Sequence, residues 1–180
     1  VPGLFHHLES LACENPSTPL SVLELACGGG DTAIALAALA QKRDWNWSFQ
    51  ACDLNPEAVR LARRNVARSE SSVGVFAADA LDPFGSKQFD VVYCTLFAHH
   101  LDPPDVVRLL TGMAARARQL VIVDDLIRSR VGYTLAWMGT RLLSRSWVVH
   151  HDGPLSVKAA FTPAEILDLA SQAGLCLSLI

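Results

Sequence analysis

The chain has 180 residues and a formal charge of −3, from 15 Lys and Arg against 18 Asp and Glu. Hydrophobic residues make up 51% and charged residues 18%, which excludes a disordered tail or a fibrous repeat and leads us to expect one domain with a real core, residues 1–180. The near-balance of charge excludes a general attraction to nucleic acid or anionic lipid.

In chain order, the first helical segment is His6–Cys13. Ser21–Leu25 then reads as a strand, and Asp31–Gln41 as a helix that is apolar nearly all round, as one buried against a sheet would be. A strand at Ser48–Cys52 precedes a helix at Pro56–Arg68. That helix has Val59, Ala62 and Val66 on one side, most of its arginines on the other, and Asn55 as its N-cap. Strands follow at Val73–Ala77 and Phe89–Thr95, a helix at Pro103–Ala117 and a strand at Gln119–Val123. The last helix is Pro163–Ala173, with Thr162 as N-cap and Gly174 as stop, followed by a sixth strand at Leu175–Ile180. Strands alternating with helices imply parallel crossovers. The expected class is α/β, a Rossmann-like, doubly wound, mostly parallel sheet in three layers.

Residues 126–160 break this rhythm and are read as a helical insertion after the fifth strand, either a lid or a hairpin covering the sheet edge. They hold Arg128, Arg130, Arg141, Arg145 and Lys158 against the single acid Asp152, and Val131, Leu135, Met138 and Leu142 fall at helical spacing. Tyr133, Trp137 and Trp147 add aromatics, and Arg141 or Arg145 is a candidate to pair with an anionic acceptor. The five cysteines are odd in number, scattered and without zinc-ligand spacing, which favours reduced thiols in a cytoplasmic compartment. The insertion's uncharged run, Val131–Thr140, is too short to span a membrane.

The strongest chemical signal is Val22-Leu-Glu-Leu-Ala-Cys-Gly-Gly-Gly-Asp31, a hydrophobic strand that ends in glycines and passes straight into a helix. Gly28, Gly30 and Ala33 form a loose G-x-G-x-x-A pattern, and Asp53 ends the next strand 23 residues after Gly30. A carboxylate there can accept from both hydroxyls of a ribose. Asp79, after the third strand, can accept from an adenine amino group, and Glu24 sits where a ligand ammonium would lie. Three carboxylates with no Lys or Arg would repel a pyrophosphate and welcome a cationic ligand carrying ribose and adenine.

With Ala78-Asp79-Ala80-Leu81, Phe89-Asp-Val-Val-Tyr93 and Phe97-Ala-His99-His100-Leu101, this ordered set resembles the class I S-adenosylmethionine-dependent methyltransferases. Within that class it is most similar to bacterial small-molecule enzymes of the ubiquinone/menaquinone-biosynthesis type. The resemblance covers residues 21–180. The apolar, basic insertion suits a small aromatic or lipid-like acceptor, methylated on oxygen rather than carbon or nitrogen; the resemblance implies S-adenosyl-L-methionine as cofactor and S-adenosyl-L-homocysteine as product. It assigns Glu24, Ala26, Cys27, Gly28 and Gly30 to the methionine moiety, Asp53 to the ribose, Asp79 to the adenine amine, Leu54 and Ala80 to the adenine faces, and Thr95 to the cofactor pocket. Ala26 departs from the family's usual first glycine. The family sheet has seven strands, so the missing seventh, together with Val1 in place of Met, makes both ends look truncated. An open sheet edge, weak cofactor binding and a possible homodimer are then expected.

The six histidines form the pairs His6/His7, His99/His100 and His150/His151. His100 and His151 are the candidate bases, each weighed against a capping or packing role. Asp125 is a candidate base or insertion anchor, or else a salt-bridge partner of Arg128 or Arg130. Strand four is followed by Thr95-Leu96-Phe97 with no acid, so no metal is expected. Two other functions compete: an NAD-dependent oxidoreductase of Rossmann type, and a non-catalytic module that binds cofactor or a partner.

Overall fold

Parallel strands buried on both faces read as continuous apolar runs, and the two innermost strands have that character. β1 (Leu20–Leu25) and β4 (Phe89–Thr95) carry Val22, Leu23, Leu25, Val91, Val92, Tyr93 and Cys94, all fully buried. The structure, a computed structural model, describes residues 2–14, 18–82, 87–143 and 146–176. The chain divides into two compact units.

The first unit, Val1–Thr95 with Leu109–Asp124, holds the sheet. With β2 (Trp47–Asp53), β3 (Val73–Ala77) and β5 (Ala117–Asp124), the strand order is β3-β2-β1-β4-β5, and every pairing is parallel. The chain runs outward from β1 to β3, then crosses back to β4. The carboxyl ends of β1 and β4 therefore form the switch point at which open α/β sheets bind ligands. This is the expected Rossmann-like α/β class, and the bounds of β3 and β4 coincide with those read from periodicity.

Helix α1 (Pro2–Glu14) contacts β5, while α2 (Asp31–Lys42) and α3 (Pro56–Ser69) lie against β2 and β3. α1 begins earlier than the His6–Cys13 segment because Leu4 and Leu8, one turn apart, are both buried and seat it in the core. Burying a leucine side chain contributes about 1.5–3 kcal/mol. Asn55 caps α3 as its sequence position implies, its side chain accepting from the Glu57 N–H at 2.9 Å. Helix α4 (Pro103–Arg116) contributes residues to both units.

The second unit, Leu96–Arg108 with Asp125–Ile180, holds a 3-10 turn at Ala98–His100 and helices α5 (Arg130–Leu143), α6 (Trp147–Ala159) and α7 (Pro163–Gln172). The insertion is thus two helices that pack on each other. Its ends are tied together. Ile127 bridges Phe161, the Arg128 N–H donates to the Phe161 carbonyl at 3.1 Å, and the Arg128 guanidinium pairs with Glu165. Glu165 in turn completes a capping box with Thr162 at the start of α7. A loop whose two ends meet can carry many residues at little extra entropic cost. Gly174, at φ +75°, follows α7 as expected. Of the sixth strand expected at Leu175–Ile180, residues 177–180 lie outside the described residues, and Leu175 and Cys176 are not in a strand.

Candidate functional site

At the carboxyl end of β1 the chain must leave the sheet, reverse and enter α2 within five residues. Ala26, Gly28 and Gly30 all take left-handed backbone, at φ +53°, +53° and +75°. For Gly30 a side chain is excluded twice over: by that φ, and by Ala62, whose Cβ would lie 3.2 Å from an added one. Gly28 differs, since an added Cβ there would meet nothing within 4 Å. The backbone at Gly28 is bare toward open space, as close approach of a ligand requires. Ala26 adopts the same conformation with a side chain, at a cost of about 1 kcal/mol. This explains physically why a glycine would suit that position.

Asp53 organises the loop. Its Oδ2 accepts from the Gly28 N–H at 2.9 Å and its Oδ1 from the Asn55 N–H at 2.8 Å. The Cys27 N–H donates to the Cys52 carbonyl at 2.9 Å, and the Asn65 side-chain amide donates to the Gly29 carbonyl at 3.0 Å. Asn65 is a loop-holding residue that sequence reasoning missed, because a lone Asn on the middle of an amphipathic helix carries no signal. Asp79 Oδ1 accepts from the Leu81 N–H at 2.9 Å and so shapes the turn after β3. Of the two residues assigned to the adenine, Leu54 is exposed and Ala80 buried.

Glu24 is only 2% exposed, and its Oε2 accepts from the Ala33 N–H in the first turn of α2 at 3.1 Å. Burial pushes its carboxyl up to about 7, against lowering by Tyr93, by the Ala33 N–H and by Thr95. The Tyr93 hydroxyl, itself buried, meets no partner in good hydrogen-bond geometry among the described residues, so it acts on Glu24 as a nearby dipole. The thiols of Cys27 and Cys52 are pushed up to about 12, by burial first, and stay neutral. The loop thus gathers Glu24, Asp53 and Asp79, and a nucleoside with a positively charged tail fits that set of acceptors and the opening over Gly28.

The fold ties down His99, the histidine next to the candidate base His100. His99, buried in the 3-10 turn after β4, has its Nδ1 2.6 Å from Asp125 Oδ1, and its backbone N–H donates to Asp125 Oδ2 at 3.1 Å. The Leu126 N–H also donates to Asp125 Oδ1, at 2.7 Å. A carboxylate can only accept, so the network assigns the proton to Nδ1 and leaves Nε2 as the basic nitrogen. Asp125 therefore anchors His99 rather than pairing with Arg128, which is taken by Glu165. His100 is exposed and its ring lies against that of His99, centroids 4.0 Å apart and planes tilted by 41°. Burial and the neighbouring His99 hold its pKa below the usual value. His151 lies exposed on α6. Among the described residues no three His, Cys, Asp or Glu side chains come together as a metal cluster, and none of the described helices is long and apolar enough to cross a membrane.

Residues 22–119 match a family described as the methyltransferase domain. The chain is 33% identical over 85 residues to the release factor glutamine methyltransferase of Lactococcus lactis subsp. lactis, covering 47% of this chain and 30% of that enzyme. It is 31% identical over 111 residues to an uncharacterized methyltransferase of Synechocystis, covering 61% of this chain and 47% of that protein. The chain thus spans less than half the length of these relatives. Among solved structures, the magnesium protoporphyrin IX methyltransferase of Synechocystis with bound SAH superposes with a TM-score of 0.67 at 17% identity. That match covers 94% of this chain and 69% of that one, and shows the fold alone.

Proposed function

Because the chain belongs to the methyltransferase-domain family, we propose that it binds S-adenosyl-L-methionine and transfers its methyl group to a small aromatic or lipid-like acceptor, on oxygen. The observation that carries this reading is the glycine loop bare at Gly28 and set among Glu24, Asp53 and Asp79. When bound, the cofactor supplies an electrophilic methyl on a sulfonium. The protein's part is to hold and orient. Asp53 and Asp79 offer their remaining lone pairs to ribose hydroxyls and the adenine amine. Glu24 attracts the ammonium, and Leu54 and Ala80 cover the base. Ala26, Cys27, Gly30 and Thr95 shape the space around the methionine chain. The NAD-dependent alternative gives Asp79 no role and is disfavoured by the family. The buried thiols at Cys27 and Cys52, held neutral by burial, suit a reducing, cytoplasmic setting.

An oxygen acceptor must lose its proton, and His99 is the base we assign. It comes four residues after β4 and Asp125 one residue after β5, the neighbouring strand. Asp125 is the positioning residue, holding the ring so that Nε2 takes the proton. His100, exposed beside His99, and His151, exposed on α6, remain the weaker candidates. A protein acceptor is the second reading, favoured by the 33% identity to a release factor glutamine methyltransferase.

Titration calorimetry with S-adenosyl-L-homocysteine tests the cofactor. Micromolar binding is expected, and no binding overturns the proposal. Turnover on a panel of phenols and quinols then tests the acceptor. His99→Gln is expected to lower kcat by about 10²-fold or more with little change in cofactor affinity, and His100→Gln by much less. If only His100→Gln abolishes turnover, the assignment to His99 fails.

A further inference from the structure

Helix α5 is built inside out. Its small residues, Gly132, Ala136, Gly139 and Thr140, are the part-buried ones among the described residues, and Gly132 and Thr140 meet α6. Thr140 approaches Gly153 so closely that a Cβ there would lie 2.6 Å from the threonine methyl, and Val157 faces Gly132. Three large apolar side chains are exposed instead. Val131 is 69% exposed, Leu135 64% and Met138 47%. Their spacing of four and three residues makes one continuous stripe. In a water-soluble hairpin the bulky residues take the seam. Small residues in the seam and large ones outside is the arrangement found where the surroundings are themselves apolar.

The charge is as one-sided as the packing. α5 carries Arg130 at its start and Arg141 near its end and no acid, and Lys158 lies on α6. Residues 126–160 hold five basic residues against one acid, a surplus of four, which leaves −7 for the rest of a chain of charge −3. Arg128 spends its charge on Glu165. Arg141 stacks on Trp137 with its guanidinium 4.2 Å from the ring centroid, and the helical spacing sets Arg130, Thr134, Trp137 and Arg141 on the face beside the stripe. An apolar stripe flanked by arginines and an aromatic ring is the composition of a helix that lies in a membrane interface. Two copies of this face would set like charges against each other, which disfavours self-pairing.

We infer that α5 docks the protein on an anionic lipid surface, with Val131, Leu135 and Met138 inserted among the acyl chains and Arg130 and Arg141 at the headgroups. The whole-chain charge hides this surface because the excess is local.

Flotation with vesicles tests it. The wild-type chain is expected to bind phosphatidylcholine vesicles containing phosphatidylglycerol at low ionic strength, and vesicles of phosphatidylcholine alone at least about tenfold more weakly. Binding should fall as salt is raised. Leu135→Glu with Met138→Glu is expected to abolish it, and Arg130→Ser with Arg141→Ser to weaken it about tenfold or more. All four positions are exposed, so circular dichroism should show unchanged helix content in both variants. Failure to bind either vesicle, or binding unchanged in the Leu135/Met138 variant, overturns the proposal. So does a concentration-dependent dimer that dissociates in Leu135→Glu while vesicles stay empty, which would make a second copy the occupant. Cofactor calorimetry on the same samples keeps this result separate from the catalytic reading.

Discussion

The glycine loop at the end of β1 and the helical pair α5–α6 solve opposite packing problems. Around the loop, large apolar side chains are buried and the polar groups that shape the turn are paired: Asp53 with two backbone amides, Glu24 with the Ala33 N–H, and the Gly29 carbonyl with the Asn65 side-chain amide. On α5 the small residues are the part-buried ones, and Val131, Leu135 and Met138 are exposed. The loop region is therefore complete in itself and preorganised, with its ligand chemistry set by internal hydrogen bonds. The helical pair is complete only toward α6, and its outer face matches an environment the chain does not supply.

The largest effect expected from breaking the loop side of this comparison is that of Asp53→Ala. Two amides lose a charged acceptor, worth roughly 1.5–3 kcal/mol each, so S-adenosyl-L-homocysteine affinity should fall by about 10²-fold or more. Calorimetry that finds unchanged affinity would show that Asp53 does not organise this site. Next comes Glu24. Its folded pKa, raised by burial to about 7 from an ordinary 4.5, means that the folded state holds the proton more tightly than the unfolded one. That stabilisation is full below about pH 4.5 and is lost as pH rises to about 7, a swing of roughly 3 kcal/mol. Glu24→Gln should flatten the dependence and raise Tm relative to wild type at pH 8, where the buried carboxylate is ionised. Thermal melts with parallel pH profiles for the two proteins would refute it.

Two glycines on the helical side should respond in opposite directions. Gly153→Ala drives a methyl against Thr140 and is expected to cost about 1–3 kcal/mol, whereas Gly139→Ala, with nothing within 4 Å of its added Cβ, should gain about 0.5–1 kcal/mol. Denaturant titration reads both, and a seam that tolerates Gly153→Ala is not closely packed. The smallest effect belongs to Ala26→Gly. Relief of left-handed strain is opposed by the added flexibility of the unfolded chain, so stability should shift by less than about 1 kcal/mol. A loss beyond that would mean the Ala26 methyl makes contacts the loop depends on.

Where local physics decides, the residues were legible in advance. The caps at Asn55 and Thr162, the bounds of β3 and β4 and the glycine-to-helix turn at Gly28–Asp31 rest on interactions within a few residues or on a strict periodicity. The histidines were not legible to that depth. His99 and His100 are adjacent in a 3-10 turn, and the choice between them depends on Asp125, 26 residues away on the next strand's exit. Spacing put Val131, Leu135 and Met138 on one helical stripe, yet a stripe has the same period whether it faces a core or solvent.

By itself the sequence determined the parallel α/β architecture, the loop that replaces side chains with bare backbone, and the three acids around it, because each of these follows from conformational preference or periodicity along the chain. Only the tertiary structure decided that Asp125 holds His99, that Glu24 is buried deeply enough to raise its carboxyl to about 7, and that α5 turns Val131, Leu135 and Met138 outward. Burial and long-range pairing depend on which surfaces meet, and no residue pattern within one element records that.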